Sequence, residues 1–396
     1  MQALINATII DAHSEDPIKE GVLTINSEGK IEDYGSREKV EIAEKAEIVD
    51  CEGKTIMPGV IDAHVHLWLD ASADPDANLQ ELSDARLALK AAKHASNTLK
   101  AGVTTIRDMG GKNYIDIDVR DAVAAGDYPG PDIYASGKNL TMTGGHSWSK
   151  GEEVDGEAQA RWGARQQIKK GADQIKLMAT GGVMTEGVQP GAPQLTEAEM
   201  RAAIEEAHKA DRKTAAHAQG TEGIKNAIKA GIDSIEHGVF LDEEAVNMML
   251  ENEVYLIPTL TAAHRIYEAG DNSGIPAYAV KKCRSIMQDH KQSFKLAREA
   301  GVKIGMGTDA GTPLNEHGEN TFELNLMVEN GMKPKEAIEA ATRINAEILD
   351  IEHKTGTIEA GKRADLLVLN KNPLEDIENI TEIHSIYKRG KKVNDL

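Results

Sequence analysis

Eight short apolar runs, each ending in polar residues and followed by a helical pattern, constrain this chain more than any other feature. They are Ile56–His64, Thr104–Met109, Asp132–Ser136, Gln174–Met178, Thr214–Ala218, Ser234–Gly238, Val254–Pro258 and Lys303–Gly307. Strands alternating with helices build parallel sheets, because each helix carries the chain back to start the next strand. Ala101-Gly102, Lys170-Gly171, Ala230-Gly231 and Ala300-Gly301 read as helix ends closed by a left-handed glycine. Thr196 with Glu199 three residues on reads as a capping box. The number and order of the units predict an α/β fold, a (β/α)8 barrel over residues 57–355. A doubly wound open sheet competes. The barrel is favoured because polar residues recur where the runs end, the rim that carries barrel active sites.

The two ends of the chain differ from this middle. Ala3–Asp11, Gly21–Ile25, Ile31–Tyr34 and Glu47–Val49 are β-rich, with a turn at Asn26–Lys30. Thr357-Ile358, Asp365–Leu369 and Ile383–Lys388 continue the pattern near the other end. Residues 1–56 and 356–396 are therefore expected to form one small β-sandwich domain.

His64 and His66 close the first run. Strand residues two apart share a face, so both imidazoles point the same way and can grip one metal ion. Lys176 lies between Ile175 and Leu177; if these face the helices, Lys176 faces the interior, where an unpaired ammonium is costly. Its alternative is a lysine on a surface strand. His217 and His237 close the fifth and sixth runs, and Asp309 closes the eighth. Each alone could be a core histidine or a helix-capping aspartate. Four histidines on one rim point to a metal.

His146 stands in the Gly-rich loop Thr143–Ser147. Such a histidine is either solvated or, at the mouth of a site, in contact with substrate. Arg107 and Arg265 could hold a substrate carboxylate or serve as structural ion-pair partners. His94, His208 and His290 fall on helical patterns and are expected at the surface.

With these residues assembled, the chain resembles the amidohydrolase superfamily along nearly its whole length. The likeness rests on Met57–His66, the ordered series Lys176, His217, His237 and Asp309, and Gly361–Leu369. Within it, Thr141–His146, Ala179–Met184 and Thr308–Pro313 resemble the imidazolonepropionase-related branch that holds Xaa-Pro dipeptidases and zinc carboxypeptidases. Imidazolonepropionases themselves use one metal and lack the bridging lysine, so Lys176 favours the binuclear, peptidase-like members.

The resemblance implies two divalent metal ions, with zinc favoured. His64, His66 and Asp309 would hold one, and His217 and His237 the other. Lys176, carbamylated by CO2, and a hydroxide would bridge them. Asp309 would move the proton and His146 would steady the substrate. The implied activity is cleavage of amide bonds in dipeptides or N-acyl amino acids. The loop Gly181–Gln194, rich in Gly and Pro, could cover the mouth. A deaminase, a cyclic-amide or carbamate hydrolase, and a non-catalytic binding relative are the alternatives.

Bulk properties narrow the partners. A formal charge of −20 over 396 residues argues against nucleic acid and anionic membrane, leaving a small-molecule substrate and permitting a homo-oligomer. No apolar run approaches the ~20 residues of a membrane span, and no leader pattern is visible, so a cytoplasmic location is expected. Cys51 and Cys283 are expected to be buried or unreactive thiols.

Overall fold

The computed structural model describes residues 1–393, so the last three positions of the expected 356–396 range lie outside the described residues. The first part of the chain forms β1 (Gln2–Ile9), β2 (Ile18–Ile25), β3 (Ile31–Ser36), β4 (Glu47–Asp50) and β5 (Thr55–Pro58). The middle contributes β6 (Val60–Val65), β7 (Val103–Asp108), β8 (Asp132–Ala135), β9 (Leu140–Thr141), β10 (Glu152–Glu153), β11 (Gln174–Met178), β12 (Lys213–Ala218), β13 (Ser234–His237) and β14 (Tyr255–Ile257). β15 (Leu366–Leu369), β16 (Ile383–Lys388) and β17 (Lys391–Lys392) follow.

Both ends of the chain meet in one eight-stranded sheet, ordered β17-β16-β15-β5-β1-β2-β3, with β4 on β1. The hairpin between β2 and β3 turns on Asn26, whose side-chain oxygen accepts from the amides of Glu28 and Lys30. Leu4, Ile9, Leu23, Ile25, Ile56 and Leu366 fill its core, each within 2 % of full burial. Burying such a side chain contributes roughly 1.5–3 kcal/mol. Asp132 at the start of β8 fastens this sheet to the middle of the chain, pairing with Arg363, Lys388 and Arg389 at 2.7–3.0 Å. That is the structural use of Arg363 in the Gly361–Leu369 motif.

The middle strands are parallel. β6, β7 and β8 form one sheet, and β10-β9-β11-β12-β13-β14 another. All residues of β6, β7 and β11 are buried, as parallel strands covered on both faces should be. The predicted eighth strand, Lys303–Gly307, is not a regular strand; it makes one isolated bridge, Leu256 to Ile304, and a second, Val65 to Ala310, lies just beyond it. Its backbone nonetheless bonds on both flanks, Gly305 N to Leu256 O (2.9 Å) and Ala63 N to Met306 O (3.0 Å). On the other side, Asp173 N donates to Ala135 O (2.8 Å). Asp62, fully buried, clamps the join between β6 and the eighth segment by accepting from His64 N, Thr308 N, Thr308 Oγ1 and Asn320 Nδ2.

The helix punctuation read from the sequence is present. Gly171, Gly231 and Gly301 are left-handed caps with φ of 94°, 96° and 87°. The Thr196–Glu199 capping box forms at the head of helix Glu197–Lys209. Among the described residues, no helix is long and apolar enough to cross a membrane.

Candidate active site

The strand ends of the middle region converge on one cavity of about 880 Å³, counting its open mouth. His64, His66, Lys176, His217, His237 and Asp309 all line it. Five imidazoles form a row: His66 to His64 (ring centroids 5.5 Å), His64 to His237 (5.2 Å), His237 to His217 (4.5 Å) and His217 to His146 (4.3 Å). The ligand atoms of His64, His66 and Asp309 lie within 4.8 Å of one another, a group that could hold a metal ion. Asp309 Oδ1 stands 3.5 Å from His64 Nε2 and 3.3 Å from His66 Nε2.

Backbone strain aims several of these groups. His237, Thr259 and Asp309 adopt left-handed φ of 71°, 50° and 59°. Non-glycine residues rarely accept this conformation unless the surroundings hold them there. Alternation would turn His237 away from the face that Glu236 occupies; its left-handed backbone brings it back to the cavity. Thr259 Oγ1 then meets His237 Nδ1 at 2.6 Å. Gly307 lets the eighth segment press on β6, since a Cβ there would stand 2.8 Å from the His64 Cβ.

Burial favours the neutral form of four of these imidazoles, His64, His146, His217 and His237, the state a metal ligand requires. Burial first, then the Lys176 ammonium, pushes His64 down to about 4. Burial also drives His217 and His237 well below the ordinary histidine value. His146 is pushed down to about 3 by burial and by Lys150. Burial opposes the charge on Asp309, but its contacts with His64 and His66 and the nearby Lys176 ammonium outweigh it and hold the carboxyl well below the ordinary aspartate value.

Lys176 is 1 % exposed and its Nζ has no hydrogen-bond partner. Burial lowers it to about 8. An unpartnered buried amine is expensive, so its persistence at the cavity base calls for a ligand or a modification.

Behind the histidines lies a polar network the sequence did not reveal. Glu236, fully buried, places Oε2 2.7 Å from His64 Nδ1. Its Oε1 accepts from Arg107 Nη2 (2.8 Å) and Ser234 Oγ (2.7 Å). Burial alone would raise the Glu236 carboxyl; Arg107 and then His64 outweigh it and hold it at about 2. A carboxylate on Nδ1 fixes the ring and leaves Nε2 for the cavity.

Arg107 is therefore not where a substrate carboxylate would meet it. Its Nε donates to Ala63 O (2.6 Å), and it borders a separate depression with Tyr134 and Asp350. Arg265 is likewise outside the cavity lining, bonding Glu319 (2.6 Å) and covering the Phe322 ring at 4.3 Å. The surface placement read for the helical histidines holds only for His208, which pairs with Asp233. His290 is 3 % exposed, lines the cavity and donates Nε2 toward the carbonyls of Pro258 and His237. His94 stacks on His317 at 4.5 Å and bonds Leu67 O. His290 sits on the buried stripe of its helix and His94 is half-buried on its own, a pattern periodicity alone did not separate.

His146 lines the cavity, with Nδ1 2.8 Å from Thr185 Oγ1. Gly182 makes room for it: a Cβ there would lie 2.6–2.9 Å from three ring atoms. The Gly181–Gln194 loop is tied at its base by Gly181 N to Ala192 O (2.8 Å) and Gln194 N to Ala179 O (2.9 Å). Tyr278 and Lys282 donate to its Met184 and Thr185 carbonyls. Cys51 and Cys283 are both buried free thiols, and burial raises them to about 11 and about 12.

A parallel α/β scaffold that gathers histidines, a carboxylate and a buried lysine at its strand ends is the architecture of a hydrolase. The chain belongs to the amidohydrolase family: that family's model matches residues 55–393. Ochratoxinase of Aspergillus niger is 32% identical over 372 residues, covering 85% of this chain and 75% of that protein. A crystal structure of a Xaa-Pro dipeptidase with methionine bound in its active site superposes with a TM-score of 0.92 at 34% identity, over all of both chains. A prolidase complexed with N-methylphosphonate-L-proline superposes with a TM-score of 0.91 at 31% identity, again over all of both chains.

Proposed function

We propose that this hydrolase cleaves amide bonds of dipeptides or N-acyl amino acids, and that it does so with two divalent metal ions. The observation that carries the reading is Lys176, buried and unpartnered at the base of a cavity whose lining includes His64, His66, His217, His237 and Asp309. Carbamylated, Lys176 would add a carboxylate to the set that holds the ions. His64, His66 and Asp309 would hold one ion and His217 and His237 the other. Neutral imidazoles with carboxylates suit zinc. The relatives named above include proteins called dipeptidase and prolidase, which supports the peptide-like substrate.

Bound there, divalent ions would supply Lewis acidity and bring the pKa of a water toward ~7. The chain's own residues do the rest. Asp309 is ionised and can take the proton of the attacking water at a carboxylate oxygen, then pass it to the leaving nitrogen. With Nδ1 engaged by Thr185, His146 offers Nε2 to a substrate oxygen. Glu236 and Thr259 keep the His64 and His237 rings in place. Val183 and Met184 on the Gly181–Gln194 loop wall the cavity on one side and limit water there.

The architecture follows the same proposal. The two-sided bonding of residues 303–310 and the Asp173–Ala135 link support a closed eight-unit barrel over 57–355. The strands of both ends form the small β domain.

The test is a panel of dipeptides and N-acyl amino acids assayed with zinc and bicarbonate, alongside Lys176→Ala and Asp309→Asn. Both variants are expected to lose nearly all amide cleavage. Full activity in either removes the assigned roles, and ammonia release without peptide cleavage would mark a deaminase instead.

A further inference from the structure

Beyond the histidine row the cavity lining is of two kinds. Part of it is apolar: Val183 and Met184 from the loop, Ala263 and Ile266 from helix Leu260–Ala269, and Cys283 and Ile286 from helix Ala277–Ala300. Ile266, Cys283 and Ile286 are within 4 % of full burial. Another part carries an ion pair. Lys150 Nζ lies 2.7 and 3.0 Å from the two carboxylate oxygens of Asp76, and both residues line the cavity.

Among the described residues lining this space, Lys150 and Lys176 are the two Lys or Arg side chains. Lys176 sits at the histidine row. Arg107 and Arg265, the other cations that could serve a substrate, are committed to Glu236 and Glu319. A carboxylate entering the cavity therefore has one cation away from the metal-holding set. The Lys150 side chain is only 12% exposed, and its ammonium stands 5.1 Å over the Trp68 ring, so its position is fixed from two directions. An ammonium has three donors; two point at Asp76, which leaves one for a ligand.

Resting on the amide-hydrolase reading above, we propose that Lys150 is the specificity residue that binds the free carboxylate of the substrate. The apolar part of the lining takes a large hydrophobic side chain. The substrate class is then an N-acyl or N-aminoacyl derivative of a bulky apolar amino acid with its carboxylate unblocked. Asp76 acts as a positioning residue. It holds Lys150 and half-neutralises it, so one negative charge is accepted and a second, as in an aspartyl substrate, is rejected.

The experiment uses the full metal-loaded chain with N-acetyl-Leu, N-acetyl-Ala and N-acetyl-Asp, and with N-acetyl-leucinamide as the blocked analogue. Each buried methylene is worth about fourfold, so the leucine substrate should exceed alanine in kcat/KM by at least about tenfold. The amide should fall at least tenfold below the acid. Lys150→Met should erase the acid-over-amide preference, with the loss carried by KM. Asp76→Asn should lower KM for N-acetyl-Leu and admit N-acetyl-Asp, which a merely structural ion pair would not do. A calorimetric arm reads binding of leucine against leucinamide to the wild type and to both variants, independent of turnover. Equal handling of acid and amide, or a Lys150→Met protein that keeps the preference, overturns the proposal. If the wild type cleaves none of the panel, the amide-hydrolase reading fails, while the calorimetric arm still decides the carboxylate site.

Discussion

Replacing Arg107 by Met probes the buried network beneath the site. Arg107 is 2 % exposed and donates to Ala63 O, Ser234 Oγ and Glu236 Oε1 at 2.6, 3.1 and 2.8 Å. Removing it strands the Glu236 carboxylate in a site with no solvent. Breaking a buried pair in this way costs about 3–5 kcal/mol. Unfolding entropy of ~2.1 cal/mol/K per residue, over the whole chain, makes that a drop of about 4–6 °C in Tm. The same substitution in a Glu236→Gln background removes no charge partner. The double variant should therefore lie above the sum of the two single losses by at least ~1.5 kcal/mol. Differential scanning calorimetry of the four proteins reads this directly. Additivity within about 0.5 kcal/mol would refute the claim that the two groups stabilise each other.

Other outcomes follow from single groups. Gly182→Ala puts a methyl group against the His146 ring, so kcat should fall at least about tenfold while metal content, measured by plasma emission, stays at the wild-type level. Glu323 accepts from Leu260 N, Thr261 N and Thr261 Oγ1 at the head of a cavity-wall helix, and burial raises it to about 7 from 4.5. The fold therefore binds this proton more tightly than the unfolded chain. Its contribution is full below pH 4.5 and is lost as pH rises through 7, by roughly 3 kcal/mol at most; in Glu323→Gln melts that slope should disappear. Lys176→Met should keep or raise the Tm of the metal-stripped protein, because it removes a buried amine without a partner. A marked loss of stability there would mean the amine has a structural role.

Much of the site could be read from the sequence because its parts are local. Period-two alternation pairs His64 with His66, and the Ile175–Leu177 sandwich turns Lys176 inward. The rest depends on contacts between distant segments or on backbone strain. Arg107 reads equally as a substrate-binding cation or an ion-pair partner until Glu236, far along the chain, is seen beside it. His237 reaches the cavity only through a left-handed turn that no strand pattern forecasts. His290 looked exposed because one histidine on a helix does not reveal which face is buried. The eighth segment reads as a strand from its residues, yet Gly305 and Gly307, needed for close approach to Asn345, Ile257 and β6, leave it irregular.

The most direct measurement is a metal titration of chelator-stripped protein in bicarbonate buffer, followed by hydrolysis of one cleaved dipeptide. Activity should be absent without metal and should rise to a plateau at two equivalents of zinc per chain. A plateau at one equivalent, or full activity in the stripped protein, would contradict a paired-ion site built on Lys176.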